Sequence, residues 1–258
     1  MKFENQPDKA SRFIDMAVER DMLSATQAAE LLQTSIERST APKILAMETE
    51  LLDPVQIDIL EVMLDPTNVA PGFEVLDVVG HGGLGVVYRA TQTQLNRIVA
   101  LKTIPISKRR GSGVVARVQQ EAFAVGRLQH PNIVAAHDFG THGERIYLAM
   151  ELIEGEDVES LIQDSGPISE SMGWALARQV AAGLAHAQEL GIVHRDIKPA
   201  NLLLTKPPAG FAMAENVPLV KITDFGLAKL AVEQGGKTRL TVVGTAMGTP
   251  FYMAPEQV

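Results

Sequence analysis

The residues best suited to chemistry lie in one stretch, His194 to Asn201, which reads His-Arg-Asp-Ile-Lys-Pro-Ala-Asn. Pro199 interrupts this run, so a loop is a better prediction than a helix. Such a loop brings together a carboxylate at Asp196, a cation at Lys198 and an amide at Asn201. These groups could hold a hydroxyl nucleophile, screen a phosphate and bind a metal ion, which are the requirements of phosphoryl transfer.

A glycine-rich stretch lies upstream, among short apolar runs typical of strands. Gly80, Gly82 and Gly85 form a G-x-G-x-x-G pattern, and Gly83 adds a further glycine. A β-branched run that includes Val87 follows, whereas the dinucleotide-binding form of this pattern requires a helix there. We therefore expect a hairpin whose glycine-rich turn lets backbone amides close over phosphates.

Lys102 lies in an apolar run, Ile98 to Ile104. Alternation along a strand places Ala100 and Lys102 on one face, so a small side chain that leaves room for a flat ring stands beside a cation that can reach phosphates. A lysine in such surroundings tolerates partial burial only when an acid meets it. Glu121, in a predicted helix, is the candidate partner.

Taken in chain order, the motifs resemble those of eukaryotic-like Ser/Thr protein kinases of bacterial type, and the resemblance runs from about Phe73 to the last residue. The motifs are the glycine-rich loop at 80–87, Val-Ala-Leu-Lys at 99–102, Glu121, His-Pro-Asn-Ile-Val at 130–134, the loop at 194–201, Asp-Phe-Gly at 224–226 and Ala-Pro-Glu at 254–256. This ordered set is far more specific than any single motif. It implies an α+β, two-lobe kinase fold, with an antiparallel β-sheet N-lobe and a helical C-lobe.

The resemblance implies an ATP site. The residues expected to bind the nucleotide are Gly80, Gly82, Gly83, Gly85, Val87, Ala100, Lys102, Met150, Glu151, Ile153, Asp157 and Leu203. Among them, Met150 would be the gatekeeper before a hinge whose backbone groups hydrogen-bond the adenine, and Asp157 would bind the ribose.

The resemblance also implies a catalytic apparatus that uses Mg²⁺. The expected catalytic residues are Asp196, Lys198, Lys102 and Glu121, and the expected metal ligands are Asn201 and Asp224. Asp196 would accept or orient the substrate hydroxyl, while Lys198 would neutralise charge on the γ-phosphate. Lys198 two residues after Asp196, and Gly-Thr at 248–249, resemble the branch that phosphorylates Ser and Thr in proteins.

Regulation by phosphorylation is a further expectation. In such kinases the arginine before the catalytic aspartate, here Arg195, can pair with a phosphate on the segment 224–256, which offers Thr238, Thr241 and Thr245. We expect autophosphorylation at Thr241 or Thr245 to order that segment through charge-assisted hydrogen bonds.

Several other features have a structural interpretation. By the resemblance, His194 packs under Phe225 and His130 caps a turn, while Trp174 is more typical of a core residue than of a ligand contact. The segment 206–218 is longer than the usual family turn, which favours a tolerated surface insertion over a docking loop.

The first 70 residues predict an all-α module with an internal repeat at an offset of 29. Ser24 with Gln27 forms a capping-box pattern, and Asp53 followed by Pro54 is a helix start. The predicted apolar stripes are Ala28, Leu31, Leu32 and Ile36, then Val55, Ile59, Leu60 and Met63. The domain prediction is a helical module at 1–70, an N-lobe at 71–153 and a C-lobe at 154–258. The module is either a docking unit for a protein partner or a plain helical extension.

Composition limits the partners. Residues 1–70 hold 6 Lys/Arg against 13 Asp/Glu, within a total charge of −8, which argues against nucleic acid or an anionic membrane. The chain has no cysteine, and no apolar window long enough to span a membrane, so we expect a cytoplasmic protein. It stops just after Ala-Pro-Glu, so we expect the helices that complete the lower lobe to be missing and activity to be weak. The alternative to a kinase is a nucleotide-binding scaffold or pseudokinase that acts through its helical module.

Overall fold

The computed structural model describes residues 6–82, 85–105, 125–143, 145–211, 213–214, 216–225 and 252–254. The contacts divide the chain into a first unit, 1–81 with 85–98, and a second unit, 82–84 with 99–258. The predicted domains 1–70, 71–153 and 154–258 stay a prediction. Gly83, Glu121, Thr238, Thr241 and Thr245 lie outside the described residues.

The described residues of the first unit form four helices and two strands. They are α1 (Gln6–Glu19), α2 (Ala25–Arg38), α3 (Pro42–Glu48), α4 (Pro54–Leu64), β1 (Phe73–Gly82) and β2 (Gly85–Gln92). The strands are neighbours in a sheet. The backbone of Pro66 accepts a hydrogen bond from Val75 N at 2.9 Å, and that of Gly72 accepts one from Thr93 N at 2.9 Å. The link between α4 and β1 is therefore fastened to the strands.

The predicted helix starts are confirmed. Ser24 accepts a hydrogen bond from Gln27 N while the Gln27 side chain returns to Ser24 N, which is a complete capping box. Asp53 accepts from Val55 N at 2.7 Å and from Gln56 N at 2.8 Å, and Gln56 Oε1 accepts from Asp53 N at 2.9 Å. The second helix start is thus also a capping box, whereas the sequence predicts only a helix start at Asp53 and Pro54.

The helices bury a shared apolar core. Its fully buried members include Ala17, Leu45, Ala46, Leu52 and Leu60. In the predicted stripes, Ala28, Leu31, Ile59 and Leu60 are buried. Ile36 was wrongly predicted: it is 71% exposed, because it lies in the last turn of α2 just before the left-handed C-cap Ser39, where the chain leaves the helix.

The second unit begins within β3, and its described residues contribute strands to two sheets. The strands are β3 (Arg97–Pro105), β4 (Ala136–His142), β5 (Arg145–Met150), β6 (Gly155–Asp157), β7 (Leu202–Thr205) and β8 (Leu219–Ile222). β5 lies between β3 and β4 and is antiparallel to both, and the second sheet has the order β6-β7-β8. Two helices, α5 (Val158–Ser165) and α6 (Glu170–Glu189), and a short 3₁₀ helix, Pro199–Asn201, complete the described elements of this unit.

Helix α6 packs one face into the core of the second unit. Leu176, Val180, Gly183 and Ala187 are its buried apolar positions, spaced three or four residues apart. The prediction that Trp174 is a core residue is wrong: this side chain is 71% exposed. The helical period places position 174 about half a turn away from the buried face.

No helix in the described part of the chain combines the length and the apolar character that crossing a membrane requires.

The capping interactions predict a stability effect at Asp53. Asp53→Ala removes the acceptor for two backbone amides at the start of α4, so the free energy of unfolding should fall by about 1 kcal/mol. Urea denaturation of the whole chain measures it. Asp53→Asn keeps a capping oxygen and should retain most of the stability. An equal loss in both variants would contradict the capping explanation.

Candidate active site

The predicted loop is present between α6 and the 3₁₀ helix. Residues 192–198 have no regular secondary structure, and Pro199 opens the 3₁₀ turn that carries Asn201. Pro199 suits this first position because proline has no N–H to donate and its φ is already near the helical value. The loop therefore carries the side chains of Asp196 and Lys198, and the 3₁₀ turn carries that of Asn201.

Asp196, Lys198 and Asn201 are in contact. Asn201 Nδ2 donates to the backbone oxygen of Asp196 at 2.7 Å and to its Oδ2 at 3.1 Å. Lys198 Nζ lies 3.2 Å from the same Oδ2. The Asp196 carboxylate is consequently held by a buried amide on one side and by a cation on the other, as a group that receives or orients a hydroxyl requires.

Lys102 is buried and charged, and its partner among the described residues is Asp224. Its Nζ lies 2.7 Å from Asp224 Oδ1, and only 6% of the residue is exposed. The predicted partner, Glu121, lies outside the described residues. An ion pair is needed at this position because a buried ammonium group without one is costly. The pair brings the lysine of β3 and the Asp-Phe-Gly aspartate together.

His194 has the structural role predicted for it. It is 2% exposed and forms an edge-on contact with the Phe225 ring, with the ring centres 4.5 Å apart. Its Nε2 donates to the backbone oxygen of Thr223 at 2.8 Å, while its Nδ1 accepts from Asp196 N at 3.3 Å. This arrangement requires a neutral ring, and burial lowers the pKa of His194. The imidazole thereby links the catalytic loop to the strand end that carries Asp224.

Two of the predicted adenine-binding residues of the second unit lie on neighbouring strands. Ala100 is directly opposite Met150 in the pairing of β3 with β5, and both are buried. Leu203 lies on β7, opposite Asp157. The predicted hinge begins at Glu151, whose backbone N–H already donates to Ala135 O at 2.9 Å. The backbone carbonyl of Glu151 and the backbone of Ile153 are therefore the polar groups that the prediction offers to an adenine ring.

Two of the predicted nucleotide contacts have other partners. The Glu151 carboxylate accepts from Lys221 Nζ at 2.8 Å, so this side chain supports the hinge while its backbone remains the candidate ligand. Asp157 caps α5, since its carboxylate accepts from Ser160 N and from Ser160 Oγ, each at 2.9 Å. The ribose role of Asp157 stays a prediction.

The glycine-rich stretch is only partly described. β1 ends at Gly82 and β2 begins at Gly85, and Val87 lies on β2. Gly85 has a φ of 132°, in a region that side chains disfavour, so glycine is required there. A Cβ at Gly80 or Gly82 would meet no atom of the described residues within 4 Å.

The side-chain oxygens of Asn201 and Asp224 are suitable ligands for Mg²⁺. Asn201 uses Nδ2 for Asp196, which leaves its oxygen for a cation, and Asp224 uses Oδ1 for Lys102, which leaves Oδ2. Thr223 N donates to Asn201 O at 3.0 Å and so fastens the two segments together. Mg²⁺ prefers such oxygen ligands and takes the remaining ones from water and phosphate. No group of three or more His, Cys, Asp or Glu side chains suited to a metal occurs within the described ranges.

With the fold and the site described, comparison with known proteins identifies the class. Residues 73–258 match the family model described as "Protein kinase domain", so the chain belongs to the protein kinase family. It is 37% identical over 185 residues to the Ser/Thr-protein kinase PknD of Mycobacterium tuberculosis, a match that covers 72% of this chain and 26% of that one.

Other relatives are also bacterial Ser/Thr-protein kinases. The match to Pkn3 of Myxococcus xanthus is 35% identical and covers 74% of this chain and 34% of that one, and the match to PknE of Mycobacterium bovis is 36% identical and covers 70% and 29%. The chain thus spans about a quarter to a third of the length of these relatives.

A solved structure supports the fold. The kinase domain of Mycobacterium tuberculosis PknI aligns with a TM-score of 0.51 at 26% identity, covering 64% of this chain and 68% of that one. The predicted α+β kinase fold and the predicted bacterial Ser/Thr type are both confirmed.

Sequence reasoning missed one polar cluster behind the site. Gln179 Oε1 accepts from Asn132 Nδ2 at 3.0 Å and from Val220 N at 2.9 Å, while Gln179 Nε2 donates to Pro218 O at 2.9 Å. Asn132, Gln179 and Val220 are all buried. The available signal was a glutamine at a core position of α6, between Leu176 and Gly183, where an apolar residue is the norm.

His194 predicts a pH dependence of stability. Burial keeps its folded pKa below the unfolded value of about 6.5, so the unfolded chain binds more protons as the pH falls and stability is lost below that value. The free energy of unfolding should therefore be lower at about pH 5.5 than at about pH 7.5. His130 acts with the same sign, since burial and the nearby His186 lower its pKa.

The measurement is urea denaturation at both pH values. His194→Asn should shrink the difference between them, whereas His81→Ala, at an exposed position, should leave it as in the unaltered chain. A difference that is just as large in the His194→Asn variant would contradict the assignment.

Proposed function

We propose that the chain transfers the γ-phosphate of ATP to Ser and Thr hydroxyls of proteins. The observation that carries this proposal is the cluster in which Asn201 and Lys198 hold the carboxylate of Asp196. Family membership supports the reaction class. The proposal locates the reaction in the cytoplasm, where ATP is available.

Asp196 receives the acceptor hydroxyl. Its carboxylate fixes the oxygen nucleophile for in-line attack and takes up the proton as the new bond to the γ-phosphorus forms and the bond to the bridging oxygen of the departing ADP breaks. Lys198 lies beside this carboxylate and supplies a positive charge where negative charge gathers on the transferred group. Asn201 keeps the carboxylate oriented by donating to it. The three residues thus position the nucleophile and stabilise the transferring group.

Lys102 and Asp224 act on the other side of the transferred group. When bound, Mg²⁺ supplies charge neutralisation of the phosphates, and the oxygens of Asn201 and Asp224 are the groups that would hold it. Lys102 binds the α- and β-phosphates, and its burial keeps its charge from being screened by water. The backbone amides of the glycine-rich stretch close over the same phosphates. Ala100, Met150 and the hinge backbone bind the adenine.

The test compares the whole chain with its Asp196→Asn variant. Transfer from labelled ATP to a generic basic protein should fall about 100-fold or more, because the proton acceptor is lost while the shape is kept. Asp164→Asn, at an exposed position of α5, is the matched control and should transfer phosphate at the normal rate.

Melting temperature with and without Mg²⁺-ATP separates binding from chemistry. A rise in both the unaltered chain and the Asp196→Asn variant means that the nucleotide site is intact. A nucleotide-induced rise with no transfer by the unaltered chain would favour the scaffold alternative and refute the kinase proposal for this chain.

We further propose that autophosphorylation at Thr241 or Thr245 activates the site through Arg195. The Arg195 guanidinium precedes the catalytic aspartate, and a phosphate within its reach would be fixed by charge-assisted hydrogen bonds. A joint Thr241→Ala and Thr245→Ala change should slow transfer roughly tenfold and remove any initial lag. Thr238→Ala is the control and should behave normally. Unchanged rate and lag in the double variant would refute the idea.

A further inference from the structure

A second concave site lies away from the catalytic cluster, between α6 and the segment 206–218. It is a cavity of about 430 Å³, a size typical of small-molecule sites. Ala175, Arg178 and Ala182 line it from α6, and Phe211, Met213 and Val217 line it from the segment. The catalytic residues are not part of its lining.

The helix wall follows from the sequence of α6. Positions 175, 178, 179 and 182 are spaced by three and four residues, so they share one face of the helix. Two of these positions are alanines, and their small side chains leave the space that the cavity occupies. The wall is therefore apolar apart from Arg178 and from Gln179 at the floor.

The opposite wall is held in place by its own hydrogen bonds. Phe211 N donates to Pro208 O at 3.0 Å, and Val217 N donates to Ala214 O at 3.2 Å, so two short-range hydrogen bonds join described residues of the segment. Its end is fastened to α6 through the bond from Gln179 Nε2 to Pro218 O. The segment is thus a built wall and not merely extra length, which supports a role beyond that of a tolerated insertion.

The polar groups of the cavity define the ligand. Asn132 Nδ2 and both polar atoms of Gln179 already bond to each other or to the backbone of Val220 and Pro218, so the floor has few donors to offer. The Arg178 guanidinium forms no hydrogen bond or ion pair with another residue in the part of the chain that the structure describes. One available cation beside an apolar cavity matches a ligand with one anionic group and an apolar body.

We propose that the cavity between α6 and the segment 206–218 binds a small molecule with an apolar body and a single carboxylate. The planar guanidinium of Arg178 matches a carboxylate in a two-pronged hydrogen bond. Phe211, Met213 and Val217 contact the apolar body. The ligand rests on Asn132 and Gln179, the two side chains that hold β8, the strand that leads to Asp224.

The chain carries its own reporter for this site. Trp174 is the sole tryptophan, is 71% exposed and lies one turn of α6 before Arg178. Bromine quenches indole fluorescence at short range, so the probe is ω-bromodecanoate, titrated into the whole chain below the concentration at which it forms micelles. The uncharged ω-bromodecanamide is the matched probe. This readout needs neither ATP nor phosphate transfer, so it is independent of the proposed function.

The expected result is saturable quenching by the acid, with binding at least about fivefold weaker for the amide. Arg178→Ala should lower the affinity for the acid to that for the amide, while the melting temperature of the chain stays unchanged. Ala182→Phe fills the cavity and should abolish binding of both probes. Ala177→Phe, exposed on α6 and outside the cavity wall, is the control that should bind normally.

Three outcomes would overturn the proposal. The first is equal quenching by acid and amide, and the second is quenching that survives in the Ala182→Phe variant. The third is a peptide ending in apolar residues that displaces the acid with higher affinity than the acid itself, since it would identify a protein partner as the occupant.

Discussion

Gln179 Oε1 accepts hydrogen bonds from Asn132 Nδ2 and from Val220 N, inside the apolar core of the second unit. Asn132 O in turn accepts from Ile222 N, and Ile222 O accepts from Val134 N. Together these bonds hold β8 against the segment that precedes β4. A buried donor or acceptor left unpaired here would cost about 1–3 kcal/mol. The position of Asp224, two residues after β8, depends on this arrangement, and Asp224 in turn pairs with Lys102.

The pairing of Lys102 with Asp224 is a second constraint with a different physical basis. Taking both charges out of water offsets much of their attraction, so the pair adds little net stability. The pair instead fixes the position of the Lys102 ammonium group, because a buried ammonium group is costly unless it lies beside a carboxylate. The β3–β5 pairing fixes the lysine from one side, opposite Leu148, and β8 fixes the aspartate from the other. The site lies where the lysine of β3 meets the aspartate that follows β8.

The parts predicted well from sequence are those decided by local chemistry. The capping box at Ser24, the helix start at Asp53-Pro54 and the loop broken by Pro199 each depend on residues whose types admit few alternatives. The place of His194 beneath Phe225 was implied by the family resemblance and not by local chemistry. Trp174 and the last turn of α2 were predicted wrongly, because apolar character was taken as burial without asking which way the helix face points. The Gln179 network escaped prediction because its partners lie 39 to 47 residues away in the chain.

The backbone around the catalytic groups shows how tightly they are determined. Arg195 has a φ of 68° and Asp224 a φ of 63°, both in the left-handed region that side chains disfavour, at a cost of about 1 kcal/mol or more each. Such conformations persist only where neighbouring contacts over-determine them. One ring contributes to both, since His194 Nδ1 accepts from the amide that follows Arg195 and Nε2 donates to the carbonyl that precedes Asp224. Protonation of that ring removes the first of these bonds, so one buried imidazole links the backbone beside two strained residues and makes the bond next to Arg195 sensitive to pH.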